Sequence, residues 1–152
     1  MYRRLLLGGS LLTLAVPAHA EAEWDLVTPA EVLKDLSSPH PPESHNRGWP
    51  PAGAPQIVVD QPNGTQTLHP PLTFRVRFVP SPGATIDTKS FHAAYGFLGI
   101  DITGRLLQHA RLSAQELAAD NVAIPAGDHK VTLTIADSQG RENSRTFQFT
   151  VV

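Results

Sequence analysis

Cysteine is absent from all 152 residues. No disulfide can form, and no thiolate is available as nucleophile or metal ligand, so the fold must be held by packing. Charge of one sign is also missing. Twelve Lys and Arg stand against fourteen Asp and Glu, which gives none of the basic excess that marks nucleic-acid binders. Metal-ligand spacing is lacking as well: the seven histidines include no His-x-His or His-x-x-x-His pair. No Ser lies in a nucleophile elbow, and no two carboxylates stand in a pattern that suggests glycoside chemistry. These gaps point away from an enzyme and name no catalytic residue and no cofactor.

What is present begins with a leader. Met1-Tyr2-Arg3-Arg4 is a basic start, Leu5 to Val16 an uncharged apolar run, and Ala18-His19-Ala20 a small-x-small cleavage pattern. Residues 1–20 are therefore expected to be a secretory signal peptide. The run is shorter than the roughly 20 residues needed to span a bilayer, and no second apolar run follows. The mature protein is expected to be periplasmic or secreted, with no membrane span.

Residues 21–38 are expected to form a short helical segment. Thr28-Pro29-Ala30-Glu31 reads as N-cap, first-turn Pro and capping-box acid. Val32, Leu33 and Leu36 are expected on one face. So short a helix docks on something or frays. Residues 39–54 form a Pro-rich linker; with Pro55, six of the fourteen prolines fall there. Trp49 within it is either a partner anchor or a plain surface residue.

From 55 to 152 short strands alternate with Gly/Pro turns. Asp60-Gln61-Pro62-Asn63-Gly64 is a turn cluster, and Asn63-Gly64-Thr65 also fits the glycosylation pattern. Leu72, Phe74, Val76 and Phe78 alternate with polar residues, placing Arg75 and Arg77 outward as a candidate anion-binding pair or a solvated face. Ser113-x-x-Glu116 predicts a second short helix over 114–119. Val131, Leu133 and Ile135, then Phe147, Phe149 and Val151, form two alternating runs joined by Asp137-Ser138-Gln139-Gly140, a closing β-hairpin. The fold class is all-β: an immunoglobulin-like antiparallel β-sandwich of about seven strands with one or two short helices.

The stretch from Gly96 to Leu107 stands out. Three glycines punctuate an apolar run, which suggests bends more than one strand. Its apolar residues exceed what one inward face could bury. The Ser113 helix, the N-terminal helix or another molecule could cover them, or the domain itself could bury them as a crossover. Phe97 and Leu98 are the candidate contacts. Asp101 is the acid in the most apolar setting, where burial would raise its pKa; hydrogen bonding to backbone is the alternative.

The closing run from Asp128 to Val151, with the Pro-Gln-Ile-Val-Val-Asp opening and the Leu72–Phe78 strand, resembles bacterial extracytoplasmic Ig-like modules. The Tyr95–Leu107 segment is similar to that of small proteobacterial periplasmic proteins of this type. The resemblance implies a binding or spacer role toward a protein or envelope component and carries no catalytic residue across. A small periplasmic metal-binding protein of copper type is the alternative, using His69, His92, His109 and His129 if the fold gathers them. Protein recovered from the exporting cell's envelope should begin at Glu21 by intact mass. A retained Met1 end would overturn the leader.

Overall fold

The computed structural model describes residues 22–40, 49–63 and 67–152. The leader and its cleavage point, the middle of the linker with His45, and Gly64-Thr65 lie outside the described residues. No helix among those described is long and apolar enough to cross a membrane.

Two sheets pack face to face. The first runs β2 (Gln56–Gln61), β4 (Leu72–Val79), β8 (Glu116–Ala123) and β1 (Trp24–Asp25), with β7 (Arg111–Leu112) also on β8. The second runs β6 (Ile100–Asp101), β5 (Ile86–Tyr95), β9 (Gly127–Asp137), β10 (Glu142–Val151) and β3 (Thr67–Leu68). Pairing is antiparallel except where β1 lies along β8 and β3 along β10, each over two residues.

Period-two alternation decides the layers, because successive side chains of a strand point to opposite faces. Leu72, Phe74, Val76 and Phe78 are buried, as are Val131, Leu133, Ile135, Phe149 and Val151. Phe74 meets Phe149 edge-on at 5.9 Å between ring centroids, and Phe78 meets Phe91 at 6.3 Å. These edge-to-face contacts join the two sheets at a geometry the ring quadrupoles favour. The hairpin forms in continuous register from Glu142 opposite Ala136 to Val151 opposite Gly127. Its turn is fixed by the buried Asp137, which accepts from the Gln139 and Arg141 amides and the Arg141 side chain.

Three expectations are corrected. Residues 114–119 are not helical. Ser113 Oγ does accept from the amides of Gln115 and Glu116, but the Ser113 amide donates to the Glu116 carbonyl. The backbone thus takes the donor that a capping box needs from its side chain, and the motif becomes the β7–β8 turn. The second helix, α2 (Thr103–His109), lies instead within the glycine-punctuated stretch. On the first helix, α1 (Pro29–Ser37), Val32 is buried but Leu33 and Leu36 are 66% and 60% exposed; the inward residue beside Val32 is Asp35.

The N-terminal segment belongs to the body of the fold. Trp24 and Asp25 extend the first sheet, the Leu26 amide donates to the Ala123 carbonyl, and Leu26 and Val27 are completely buried. Leu26→Ala should therefore cost about 2–5 kcal/mol in denaturant unfolding, as core truncations do. Leu33→Ala should stay within about half a kcal/mol. Equal costs would mean that the segment is not packed as described.

Candidate interaction surface around the N-terminal helix

The segment between β5 and β7 is shaped by two left-handed glycines and one short helix. Gly96 and Gly99 have φ of 73° and 65°, which residues with a Cβ rarely adopt, and they turn the chain at either side of Phe97-Leu98. At Gly96 a Cβ would also collide with the Asp35 carboxylate. The chain then enters α2. The Ile102 amide donates to the Ala93 carbonyl, and Thr103 exchanges hydrogen bonds with the backbone of the same residue. Ile102 and Leu106, four apart on one helical face, are buried.

On this platform α1 is seated by carboxylates. Glu31 completes the capping box with Thr28 and also receives the Arg105 guanidinium from α2 through two hydrogen bonds of 2.8 and 2.9 Å. Arg105 reaches further to the Leu26 carbonyl at 2.7 Å. Arg105 donating into it, with help from Thr28, holds the Glu31 carboxyl at about 2 in spite of the opposing effect of burial. Asp35, buried, accepts the Leu98 amide at 2.8 Å. At the other end of the segment the Trp24 indole stacks on His109 at 4.5 Å and donates to the Asp120 carbonyl.

Phe97 and Leu98 remain 37% and 42% exposed. The Phe97 ring is bracketed by the His40 ring, edge-on at 4.1 Å, and by the Lys130 ammonium at 4.3 Å. The other sequence candidates lie elsewhere. Trp49 is 96% exposed. Arg75 pairs with Asp120 at 2.8 Å, and Arg77 makes a two-point pair with Asp60. Each guanidinium thus already faces a carboxylate, so the two do not form an open anion-binding pair. Asp101 is exposed, not buried, and hydrogen bonds from Thr103 lower its pKa.

The four histidines are not gathered. His69 is exposed before β4, His109 stacks on Trp24, and His92 lies 3.6 Å from Asp101 on the second sheet. His129 is buried, with one ring nitrogen 2.7 Å from the Tyr95 hydroxyl and the other 2.7 Å from the Pro125 carbonyl. Among the described residues no group of three or more His, Cys, Asp or Glu is placed to hold a metal ion. Sequence reasoning singled out Phe97 and Leu98 but missed Asp35 and Arg105, which build the seat. Their signal was faint: an acid three residues beyond Val32, and a lone Arg after a Gly.

Compared with protein-family models and with curated proteins, the chain matches none. Among solved structures it is similar to CopC from Methylosinus trichosporium OB3b, at 17% identity and a TM-score of 0.41. That match covers 63% of this chain and 93% of the other. A likeness of that degree is loose, and the chemistry of the surface has to be read from the chain's own residues.

The Glu31–Arg105 pair gives a pH signature. A carboxyl whose folded pKa lies below its unfolded value stabilises the fold fully above that unfolded value, 4.5, and loses its contribution as pH falls toward about 2. The stability gap between the wild type and Glu31→Gln should be widest at neutral pH and close across that window. A gap constant with pH in urea melts would mean that the ion pair contributes nothing.

Proposed function

We propose that the chain is an exported, non-enzymatic immunoglobulin-like interaction module that engages a protein or envelope component through α1 and the Phe97-Leu98 turn. One observation carries the reading: of the eight large apolar side chains exposed among the described residues, five lie on α1, the Phe97-Leu98 turn and α2. Leu33 and Leu36 come from α1, Phe97 and Leu98 from the turn that Asp35 ties to that helix, and Leu107 from α2. Strands commit their apolar faces to the core, so recognition falls to connecting segments held on a rigid frame. Apolar side chains collected on such segments, with cationic Lys130 beside them, have the composition of an interface centre with a polar rim. The leader pattern supports an envelope or extracellular setting.

The test uses the mature chain immobilised at pH 7.5 and an envelope extract from the exporting cell. A partner retained by the wild type should be lost at least tenfold with Leu36→Asp/Leu98→Asp, since removing a central contact costs more than about 1.4 kcal/mol. Retention should be unchanged by Arg145→Ala on β10, two strands away from β5 in the same sheet. Equal retention by all three proteins would overturn the surface. Saturable uptake of Cu(II) or Zn(II) near one equivalent, in calorimetry on the same chain, would favour the metal-binding alternative.

A further inference from the structure

His129 is the buried titratable side chain that the docking geometry leaves without a task. It points inward from β9, against Phe149 of β10 and Tyr95 of β5. Its two hydrogen bonds fix its tautomer. The Pro125 carbonyl can only accept, so Nε2 carries the hydrogen, and in the neutral ring that burial favours Nδ1 accepts from the Tyr95 hydroxyl. A proton added to Nδ1 puts an N–H where the lone pair was, facing an oxygen whose own hydrogen must swing away. Tyr95 Oη has no second hydrogen-bond partner among the described residues.

Tyr95 is also the last residue of β5, directly before the turn on which α1 sits. The Gly96 amide donates to the Lys130 carbonyl, next to His129 on β9, and the Leu98 amide donates to Asp35. The Gly96–Asp35 contact leaves no room for even a Cβ, so a displaced Tyr95 is felt at Asp35. We propose that the His129–Tyr95 hydrogen bond is an acid-sensitive latch on the α1 surface, and that protonating the buried imidazole loosens the Tyr95–Leu98 turn and the Asp35 anchor. The role of that surface rests on the function proposed above; the latch itself is tested without any partner.

Burial sets the direction against the nearby charge. Burial lowers the His129 pKa, opposed by the Pro125 carbonyl and by Asp128, its neighbour on the strand. Lys130 flanks it on the other side, on the opposite face of β9. From α1, Asp35 and Glu31 lie near enough to Tyr95 to add to burial in holding the phenol up at about 12. Phe149 contributes no charge. The neutral pair is thus fully stabilising above the ordinary histidine value of 6.5 and is lost as pH falls through the lowered one.

The experiment is amide hydrogen exchange by NMR on the mature chain from pH 7.5 down through the midpoint of the His129 ring titration, read as protection factors corrected for intrinsic rates. Leu98 protection should fall at least tenfold while Ile135 in the core keeps its own. The midpoint should match the titration of the His129 ring nitrogens. The Leu98 response should disappear in His129→Gln and in Tyr95→Phe and persist in His92→Gln and His109→Gln. Should His129→Gln fail to fold, the match of the two wild-type midpoints decides. Constant Leu98 protection, a midpoint that follows another histidine, or a loss shared equally by Ile135 would each overturn the latch. The pH 7.5 retention assay stands or falls separately.

Discussion

One carboxylate, that of Glu31, is where local and tertiary structure meet. Its oxygens close the Thr28 capping box and receive Arg105 from a helix 74 residues along the chain. A nine-residue helix has little stability of its own, because nucleation fixes several residues before any hydrogen bond compensates. The box sets where α1 starts, and the ion pair sets where it lies. Arg105 also binds the Leu26 carbonyl, so the same cation holds the strand-like lead-in and the helix together. The seating of Val32, Asp35 and the Phe97 turn depends on that placement.

The sandwich was largely legible in the sequence because its central strands obey a period of two. Leu72 to Phe78 and Val131 to Val151 alternate cleanly, and Asp137-Ser138-Gln139-Gly140 could only turn. The helix cap at Thr28 was equally plain. Where reading failed, one pattern had two physical outcomes. Ser113-x-x-Glu116 suits a helix start or a tight turn, and pairing of Leu112 with Leu117 selects the turn. Leu117, Ala118 and Ala119 are buried in succession, covered on both sides, and so show no alternation to read.

The geometry around the candidate surface was half legible. An excess of apolar residues between Gly96 and Leu107 drew attention to Phe97 and Leu98, and the glycines foretold bends. The helix inside that stretch was hidden because its N-cap is Ile102, without a capping side chain, while Asp101 one residue earlier bonds the Thr103 amide. Asp35 was hidden for a different reason. Hydrophobicity placed Leu33 and Leu36 inward, but α1 lies on a turn that presents a backbone N–H, and a carboxylate satisfies that donor where a leucine would bury it unpaired.

The parallel pairing of β1 with β8 has a consequence for how the molecule comes into being. Trp24 finds its seat at Asp120 and Val122, almost a hundred residues further on. This short strand therefore waits for a partner far along the chain. Until β8 is laid against β4, Leu26 and Val27 have nothing to sit in, and such distant closure is the slow kind. During that interval Leu26 and Val27 stay uncovered, a short apolar stretch open to anything that meets the unfolded chain.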